Sequence, residues 1–149
     1  MIDRAQIGRS WGPWDVEIDR WRLKLLAKSM GETRPIYVDE DAARAAGYRG
    51  IVAPPTLPYC LLADSPTGQQ YLAEVGIPIA RMLHAEVELE YHDVICSGDR
   101  IQVERRLADV IVKKGGALEF AVFEATFRHS ATGRLVATLR SLMAVKTPG

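Results

Sequence analysis

A run in the middle of the chain alternates strictly between apolar and polar side chains. Its apolar members, each followed by a polar residue, are Leu83, Ala85, Val87, Leu89 and Tyr91. The polar residues that follow them in turn are His84, Glu86, Glu88, Glu90 and His92. A period of two places the two kinds of side chain on opposite faces of an extended strand. The run therefore predicts a strand over 83–91 and a fold that is built around a sheet.

The remainder of the C-terminal half repeats this strand pattern. Apolar runs between short turns predict three further strands, over 101–112, 118–129 and 135–145. The apolar parity shifts between Leu107 and Ala108, which indicates a β-bulge. Gly115-Gly116 lies in one of the turns and lacks the Lys-Ser/Thr of a phosphate loop, so we interpret it as a hairpin. Long strands with short connections predict an antiparallel meander.

The N-terminal half carries helix signals instead. Three segments have a helical pattern, over 20–29, 39–47 and 56–75, the last with a break near 64–66. Asp19 can cap the first helix, and Gly31 supplies a left-handed stop after it. Because helices come first and the sheet follows, the order predicts an α+β fold rather than alternating βαβ units.

Length and charge limit the function classes. The chain has 149 residues, which suits a single domain over 1–149 with one sizeable core. Nineteen basic and 19 acidic residues give zero net charge, which removes the field that a nucleic-acid or anionic-membrane binder uses. Cys60 and Cys96 form no CxxC pair and are interpreted as free thiols. The chain has no apolar run long enough to span a bilayer and no signal-peptide core, so we expect a cytoplasmic protein.

Several short motifs, in order along the chain, resemble one enzyme family. They include Arg34-Pro35-Ile36-Tyr37, Gly47-Tyr48-Arg49-Gly50, Ala53-Pro54-Pro55-Thr56 and Gly98-Asp99. These motifs resemble the MaoC-like hydratase/dehydratase family, particularly its N-terminal-type dehydratase domains. The resemblance implies a hot-dog fold, in which a curved antiparallel sheet wraps around a long central helix. It also implies hydration of 2-enoyl, or dehydration of 3-hydroxyacyl, thioesters of CoA or acyl carrier protein, with no metal or redox cofactor.

The motif loop departs from the family pattern at the positions that carry the chemistry. Catalytic members have Gly-Asp-x-Asn-Pro-x-His, in which the Asp and the His supply the base and the acid that hydration requires. Here Glu32 stands for the Asp, Arg34 for the Asn and Tyr37 for the His. Pro55 stands where the family has a Gly whose N–H polarises the thioester carbonyl, and proline has no N–H. The resemblance therefore implies a homodimer, or a heterodimer with a catalytic MaoC-like subunit that carries the intact motif.

The same resemblance suggests which residues form the site. If the chain is itself catalytic, Glu32 is the candidate base and Tyr37 the candidate hydrogen-bond donor. The candidate substrate-binding residues are Arg34, Ala53, Pro54, Pro55 and Thr56. Structural roles stay open for the charged pair, because Glu32 can be salt-bridged and Arg34 can pair with Glu32, Asp39 or Glu40. Tyr37 can equally be a half-buried structural residue.

Two other functions stay open, and five further residues are given structural rather than functional interpretations. A non-catalytic acyl-thioester-binding subunit and a hot-dog thioesterase are both compatible with the fold. At about 3.3 Å per residue, His84 and His92 lie roughly 26 Å apart along a strand and cannot share a metal ion. Cys60 and Trp21 are predicted to lie in the core, and His129 is predicted to be exposed.

Overall fold

The protein folds around one five-stranded antiparallel sheet. The computed structural model describes residues 1–113, 115 and 117–146. The strands are β1 (Ser10–Glu17), β2 (Met82–Tyr91), β3 (Arg100–Lys113), β4 (Leu118–His129) and β5 (Leu135–Lys146). Their order across the sheet is β1-β3-β4-β5-β2, and every neighbouring pair is antiparallel. All four strands that the apolar patterns predict are confirmed to within one residue at each end.

The predicted meander is wrong for β2. The strands β3, β4 and β5 pair in succession, but β2 pairs with β5 at the far side of the sheet, with Val87 opposite Ser141. The chain therefore crosses the end of the sheet between Tyr91 and Arg100. Consecutive strands are neighbours only about two-thirds of the time, and an alternating pattern specifies a strand without specifying its partner.

The first strand is not predicted by the sequence patterns. Gly12 and Pro13 interrupt the alternation of β1, and its register with β3 shifts between Trp11 and Trp14. Gly12 has a φ of +108°, and a Cβ atom at this position would lie 2.9 Å from the carbonyl oxygen of Val103. Only glycine fits this close approach of two strands without displacing one of them.

The predicted bulge in β3 is confirmed. Leu107 lies opposite Phe123 and Asp109 lies opposite Val122, so Ala108 is the extra residue. Of the predicted turn at Gly115-Gly116, the structure describes Gly115, which has a φ of +62°. Gly116 lies outside the described residues.

Four short α-helices lie within the described residues, and three of them pack on the sheet through apolar side chains. The four helices are α1 (Arg20–Ser29), α2 (Glu40–Ala45), α3 (Leu57–Leu61) and α4 (Gln70–Glu74). The Asp19 carboxylate accepts the backbone N–H groups of Trp21 and Arg22, and Asp39 caps α2 by accepting from Ala42 at 2.7 Å. The predicted cap at Asp19 is thus confirmed, and the second helix begins next to Asp39, where the sequence places its start. No helix in the described ranges is long and apolar enough to cross a membrane.

The long central helix is present only as a short one. α3 has five residues and continues as a single 3-10 turn over Leu62–Asp64. Ser65 adopts an extended ψ of 129°, and the following Pro66 lacks the N–H that a helix requires. The next helix, α4, begins at Gln70. The predicted break near 64–66 is confirmed, and the central helix that the resemblance implies is shorter here than in the family description.

Two apolar clusters join the helices to the sheet. In the larger cluster, Leu23 of α1 and Leu61 of α3 pack with Phe127 of β4, and Cys60 is partly buried against it. In the smaller cluster, Val75 packs with Phe123. Burial of these side chains is the main source of stability, because each removes apolar surface from water.

Trp21 lies outside this core, contrary to the prediction. Its side chain is 66% exposed, whereas Leu23 and Ala27 are fully buried. Residues two apart lie about 200° around a helix, so a helix that turns Leu23 inward turns Trp21 outward. Arg20 and Lys24 lie 5.6 and 5.5 Å from the Trp21 ring centroid, and these cations cover the ring on the solvent side.

Replacing Leu23 by alanine is expected to lower the free energy of unfolding by about 2–5 kcal/mol, because the change leaves a cavity in the larger cluster. Leu25 lies on the same helix and is 69% exposed, so Leu25→Ala provides a matched control. The control is expected to change stability by less than about 0.5 kcal/mol. Urea unfolding followed by circular dichroism measures both values, and equal losses would contradict the assigned buried face of α1.

Candidate functional site

Three segments that are distant in sequence meet around one open cleft. They are residues 35–37 of the motif loop, the segment 52–55 and the segment 91–95, which begins with the last residue of β2. The cleft has a volume of about 500 Å³, and its lining includes Ile36, Tyr37, Val52, Ala53, Pro55 and Tyr91. We call it the motif-loop cleft. Its walls are apolar and aromatic with a few polar groups, which is the usual composition of a small-molecule site.

The end of α1 positions the motif loop. Gly31 has a φ of +69°, and the N–H of Glu32 donates to the carbonyl of Ala27 at 2.9 Å, which closes the helix. The chain then forms one 3-10 turn over Pro35–Tyr37, in which the Tyr37 N–H donates to Arg34 at 3.0 Å. Tyr37 is 8% exposed and packs in a small cluster with Ala27. Its aromatic ring is therefore anchored while one side of it faces the cleft.

Backbone hydrogen bonds hold the segment 52–55 between the other two walls. The Val52 N–H donates to Ile36 at 2.9 Å, and the Ala53 N–H donates to Ile95 at 2.8 Å. Val52 also forms an isolated antiparallel bridge with Cys96. The three walls of the cleft are thus connected directly through the main chain, so their spacing is fixed.

Glu32 and Arg34 form a tight ion pair within the motif loop. The Arg34 Nη2 lies 2.6 Å from Oε2 of Glu32, and Nε lies 3.1 Å from both carboxylate oxygens. The Arg34 backbone N–H also donates to Oε1 at 2.9 Å. Hydrogen bonds from the Arg34 side chain and backbone lower the pKa of Glu32 from 4.5 to about 2. A carboxylate held in this way is a weak base.

The ion pair lies beside the cleft rather than in its wall. Neither Glu32 nor Arg34 belongs to the residues that line it. The Arg34 guanidinium carbon lies 4.8 Å from the centroid of the Tyr37 ring, so the cation stacks on this ring. Of the three partners that the sequence leaves open for Arg34, the structure shows Glu32.

The structure brings together only some of the predicted site residues. Tyr37, Ala53 and Pro55 line the cleft. Pro54 is buried beside it, and Thr56 is exposed, with its Oγ1 3.5 Å from the sulfur of Met30. The predicted site is therefore split, with the motif tyrosine and the proline-rich corner in the wall and the charged pair outside it.

Tyr91 is a cleft residue that the sequence patterns miss. Its hydroxyl donates to the carbonyl oxygen of Pro55 at 2.5 Å and joins the end of β2 to the proline-rich corner. Burial raises the pKa of Tyr91, which keeps the hydroxyl protonated and available as a donor. The only sequence signal is its place as the last aromatic residue of the alternating run.

A charged cluster supports the far wall. Asp93 lines the cleft, and its Oδ2 accepts a hydrogen bond from Arg134 and lies 3.3 Å from Nε2 of His129. Burial opposes ionisation of Asp93, but the Val94 N–H, Arg134 and His129 together lower its pKa. The contact with Asp93 leaves the His129 side chain only 13% exposed, so the prediction that it is exposed is wrong.

One imidazole also borders the cleft. His92, which the strand pattern places on the outer face, is an exposed residue of the lining. It follows Tyr91, where the chain leaves the sheet, so the alternation of β2 no longer decides its direction. Among the described residues, no three His, Cys, Asp or Glu side chains are grouped so that they could hold a metal ion. Both cysteines are free.

Comparison of the sequence with known proteins identifies the family of this chain. A family model described as FAS1-like, dehydratase domain region, matches residues 5–139. A UPF0336 protein from Leifsonia xyli subsp. xyli is 31% identical over 145 residues, which cover 95% of each chain. A UPF0336 protein from Clavibacter michiganensis subsp. michiganensis is 33% identical over 120 residues, which cover 77% of this chain and 79% of that protein.

Solved structures share the fold. The truncated HadBC complex, a 3R-hydroxyacyl-ACP dehydratase from Mycobacterium tuberculosis, superposes with a TM-score of 0.78 at 18% identity and covers 91% of this chain and 93% of that chain. A MaoC-like dehydratase superposes with a TM-score of 0.83 at 23% identity and covers 97% of this chain, which spans only 43% of that longer chain. The expected hot-dog fold is thus confirmed. The chain therefore belongs to the FAS1-like dehydratase domain region family, and it carries the MaoC-like hot-dog fold.

Proposed function

We propose that this protein is the substrate-binding half of a dehydratase that interconverts 3-hydroxyacyl and 2-enoyl thioesters of CoA or acyl carrier protein. A partner subunit with the intact Asp and His motif supplies the acid and the base. The observation that carries this proposal is the ion pair between Glu32 and Arg34. Family membership and the apolar cleft support the class of reaction.

Hydration needs a base that accepts a proton from water and an acid that protonates the α carbon. Glu32 has a pKa of about 2, so its carboxylate has little affinity for a proton at neutral pH. Its position outside the cleft wall also separates it from a bound acyl group. Pro55 has no N–H with which to polarise the thioester carbonyl. These three features together favour a supporting role over a self-sufficient one.

The residues of the cleft wall suit binding and orientation of the substrate. Ile36 and Ala53 offer apolar surface to an acyl chain, and the rings of Tyr37 and Tyr91 add both apolar area and a hydroxyl. The Tyr91 hydroxyl is already bonded to Pro55, so it fixes the wall. We assign Tyr37 as the donor toward the substrate. No metal or redox cofactor enters, because this reaction needs only acid–base groups.

The outer edge of β2 is the surface that we assign to the partner. Within the described part of the chain, β2 pairs only with β5, which leaves one edge of a ten-residue strand open. Leu83 is 63% exposed and Tyr91 is 41% exposed on the same strand. Open edges with exposed apolar side chains are prone to pair with another chain. The similarity to the HadBC complex supports a two-subunit assembly, and two free thiols support a reducing cytoplasmic location.

The ionisation of Glu32 tests the ion pair directly. A carboxyl carbon NMR titration is expected to give a midpoint near 2, and Arg34→Gln is expected to move it up toward 4.5. Because the folded pKa lies below the ordinary value, the pair stabilises the protein above about pH 4.5, and this contribution disappears as the pH falls through about 2. Glu40, which pairs with Arg44, is the internal control. A Glu32 midpoint that Arg34→Gln leaves unchanged would contradict the assigned cause.

An enoyl-CoA hydration assay tests whether this protein needs a partner subunit for catalysis. The purified protein is expected to show no hydration of crotonyl-CoA or longer enoyl-CoA substrates. Mixing it with a MaoC-like chain that carries the Asp and His is expected to give activity, and the Glu32→Gln variant is expected to retain it within about threefold. The reason is that an ion-paired carboxylate outside the cleft takes no part in proton transfer.

The same assay distinguishes the rival functions. Activity of the lone protein that Glu32→Gln abolishes would overturn the proposal in favour of a self-sufficient enzyme. Lone activity that His92→Gln abolishes would also overturn it, because His92 is the imidazole that borders the cleft. Release of free thiol from saturated acyl-CoA would indicate a thioesterase. Binding of acyl-CoA without activity in any mixture would identify a non-catalytic binding subunit.

A charge at the open edge of β2 tests the partner surface. Leu83→Glu is expected to weaken partner binding by about tenfold or more, because an unpaired charge would be buried in the interface. Ile7→Glu is the matched control, since Ile7 is 40% exposed and lies beside β3 at the opposite side of the sheet. Sedimentation velocity of the mixtures measures both affinities. Equal binding by the two variants would exclude this edge as the interface.

A further inference from the structure

Arg105 is a charged residue on the inward face of β3. The alternation of this strand turns Ile101, Val103 and Leu107 into the core, and all three are fully buried. Arg105 has the same parity and is only 5% exposed. Arginine is almost never this deeply buried without a partner of opposite charge. Its position therefore calls for a compensating group.

The protein itself supplies little compensation. The Arg105 Nη2 donates to the carbonyl oxygen of Leu62 at 3.1 Å, and the guanidinium carbon lies 4.0 Å from the centroid of the Tyr71 ring. Among the described residues, no carboxylate forms an ion pair with it, although Arg106 on the outward face pairs with Glu124. Burial lowers the pKa of Arg105, which the nearby rings of Tyr71 and Tyr59 only partly oppose. A guanidinium has five donors, and one carbonyl uses only one of them.

Arg105 borders a cavity that is partly open to solvent, because Ala63, Gly68 and Gln69 of its lining are exposed. The cavity has a volume of about 190 Å³ and lies between α3, α4 and the inner face of the sheet. Its polar lining comes from Arg105, Gln69 and Ser141, and its apolar lining includes Leu62, Phe123 and Met143. Ser141 is 1% exposed, so this hydroxyl is also buried at the site. The cavity shares no lining residue with the motif-loop cleft.

We propose that this cavity, the Arg105 cavity, binds a small carboxylate whose anionic group pairs with the Arg105 guanidinium. One fixed positive charge matches one carboxylate, and the planar guanidinium suits its two oxygens. The apolar wall, which includes Leu62, Phe123 and Met143, fits a short carbon body. The carboxylate is either a free short-chain acid or the far end of a dicarboxylic acyl group. The proposal does not depend on the dehydratase function, because the binding of a free acid requires no thioester.

Ligand titrations test the cavity. Sodium butyrate is expected to bind the wild-type protein, to raise its melting temperature and to shift the Arg105 side-chain Nε–Hε resonance. Butyramide has the same shape without the charge, and it is expected to produce none of these three effects. Arg105→Met is expected to weaken butyrate binding by about tenfold or more, which corresponds to loss of a charge-assisted hydrogen bond. Arg106→Met is the matched control, because Arg106 is the neighbouring exposed arginine of β3.

Two further measurements make the result decisive. If Arg105→Met does not fold, two measurements replace it: butyrate binding by Ser141→Ala, and the titration of the Arg105 Nε–Hε resonance in the wild-type protein. A resonance that does not shift at saturating butyrate overturns the proposal. Equal effects of butyrate and butyramide also overturn it.

Comparison of glutaryl-CoA with pentanoyl-CoA identifies which molecule carries the bound carboxylate. Tighter Arg105-dependent binding of glutaryl-CoA indicates the end of an acyl group, whereas equal binding of the two, with butyrate still bound, indicates a free acid.

Discussion

The pairing of β2 with β5 determines the rest of the architecture. Because β2 lies at the far side of the sheet from β3, the chain must cross the end of the sheet before β3 can begin. The crossing segment is held by the His92 N–H, which donates to Val136 at 2.8 Å, and by the burial of Ile95 and Cys96. This crossing places Tyr91 and Asp93 against the motif loop. A simple hairpin between β2 and β3 would leave the cleft without its far wall.

Local signals in the sequence predict the parts of the fold that local chemistry controls. Asp19 caps α1 as predicted, because a carboxylate accepts the free N–H groups of the first turn. The parity shift at Ala108 marks the bulge because the period of two is broken there. Features that depend on distant contacts are missed. They include β1, whose alternation Gly12-Pro13 interrupts, and the neighbour of β2, which no local pattern specifies.

The candidate site likewise has residues that local sequence predicts and residues that depend on distant contacts. The order of the motifs along the chain identifies Tyr37, Ala53 and Pro55, because these residues lie in short segments of recognisable composition. It does not find Tyr91, whose place beside Pro55 depends on the pairing of β2 with β5. Arg105 does have a local signal, since an arginine occupies an inward position between Val103 and Leu107. An apolar alternation that contains one charge therefore predicts a buried charged side chain.

The ion pair in the motif loop has a consequence for how other molecules approach it. Its two charges lie two residues apart and cancel within a few ångströms, so the loop presents a local dipole rather than a net charge. The whole chain has zero net charge as well. Long-range attraction therefore does not draw a partner or an anionic carrier toward this face. A partner of the kind that we propose would therefore recognise this face through shape and apolar area, and we expect its rate of encounter to depend little on ionic strength.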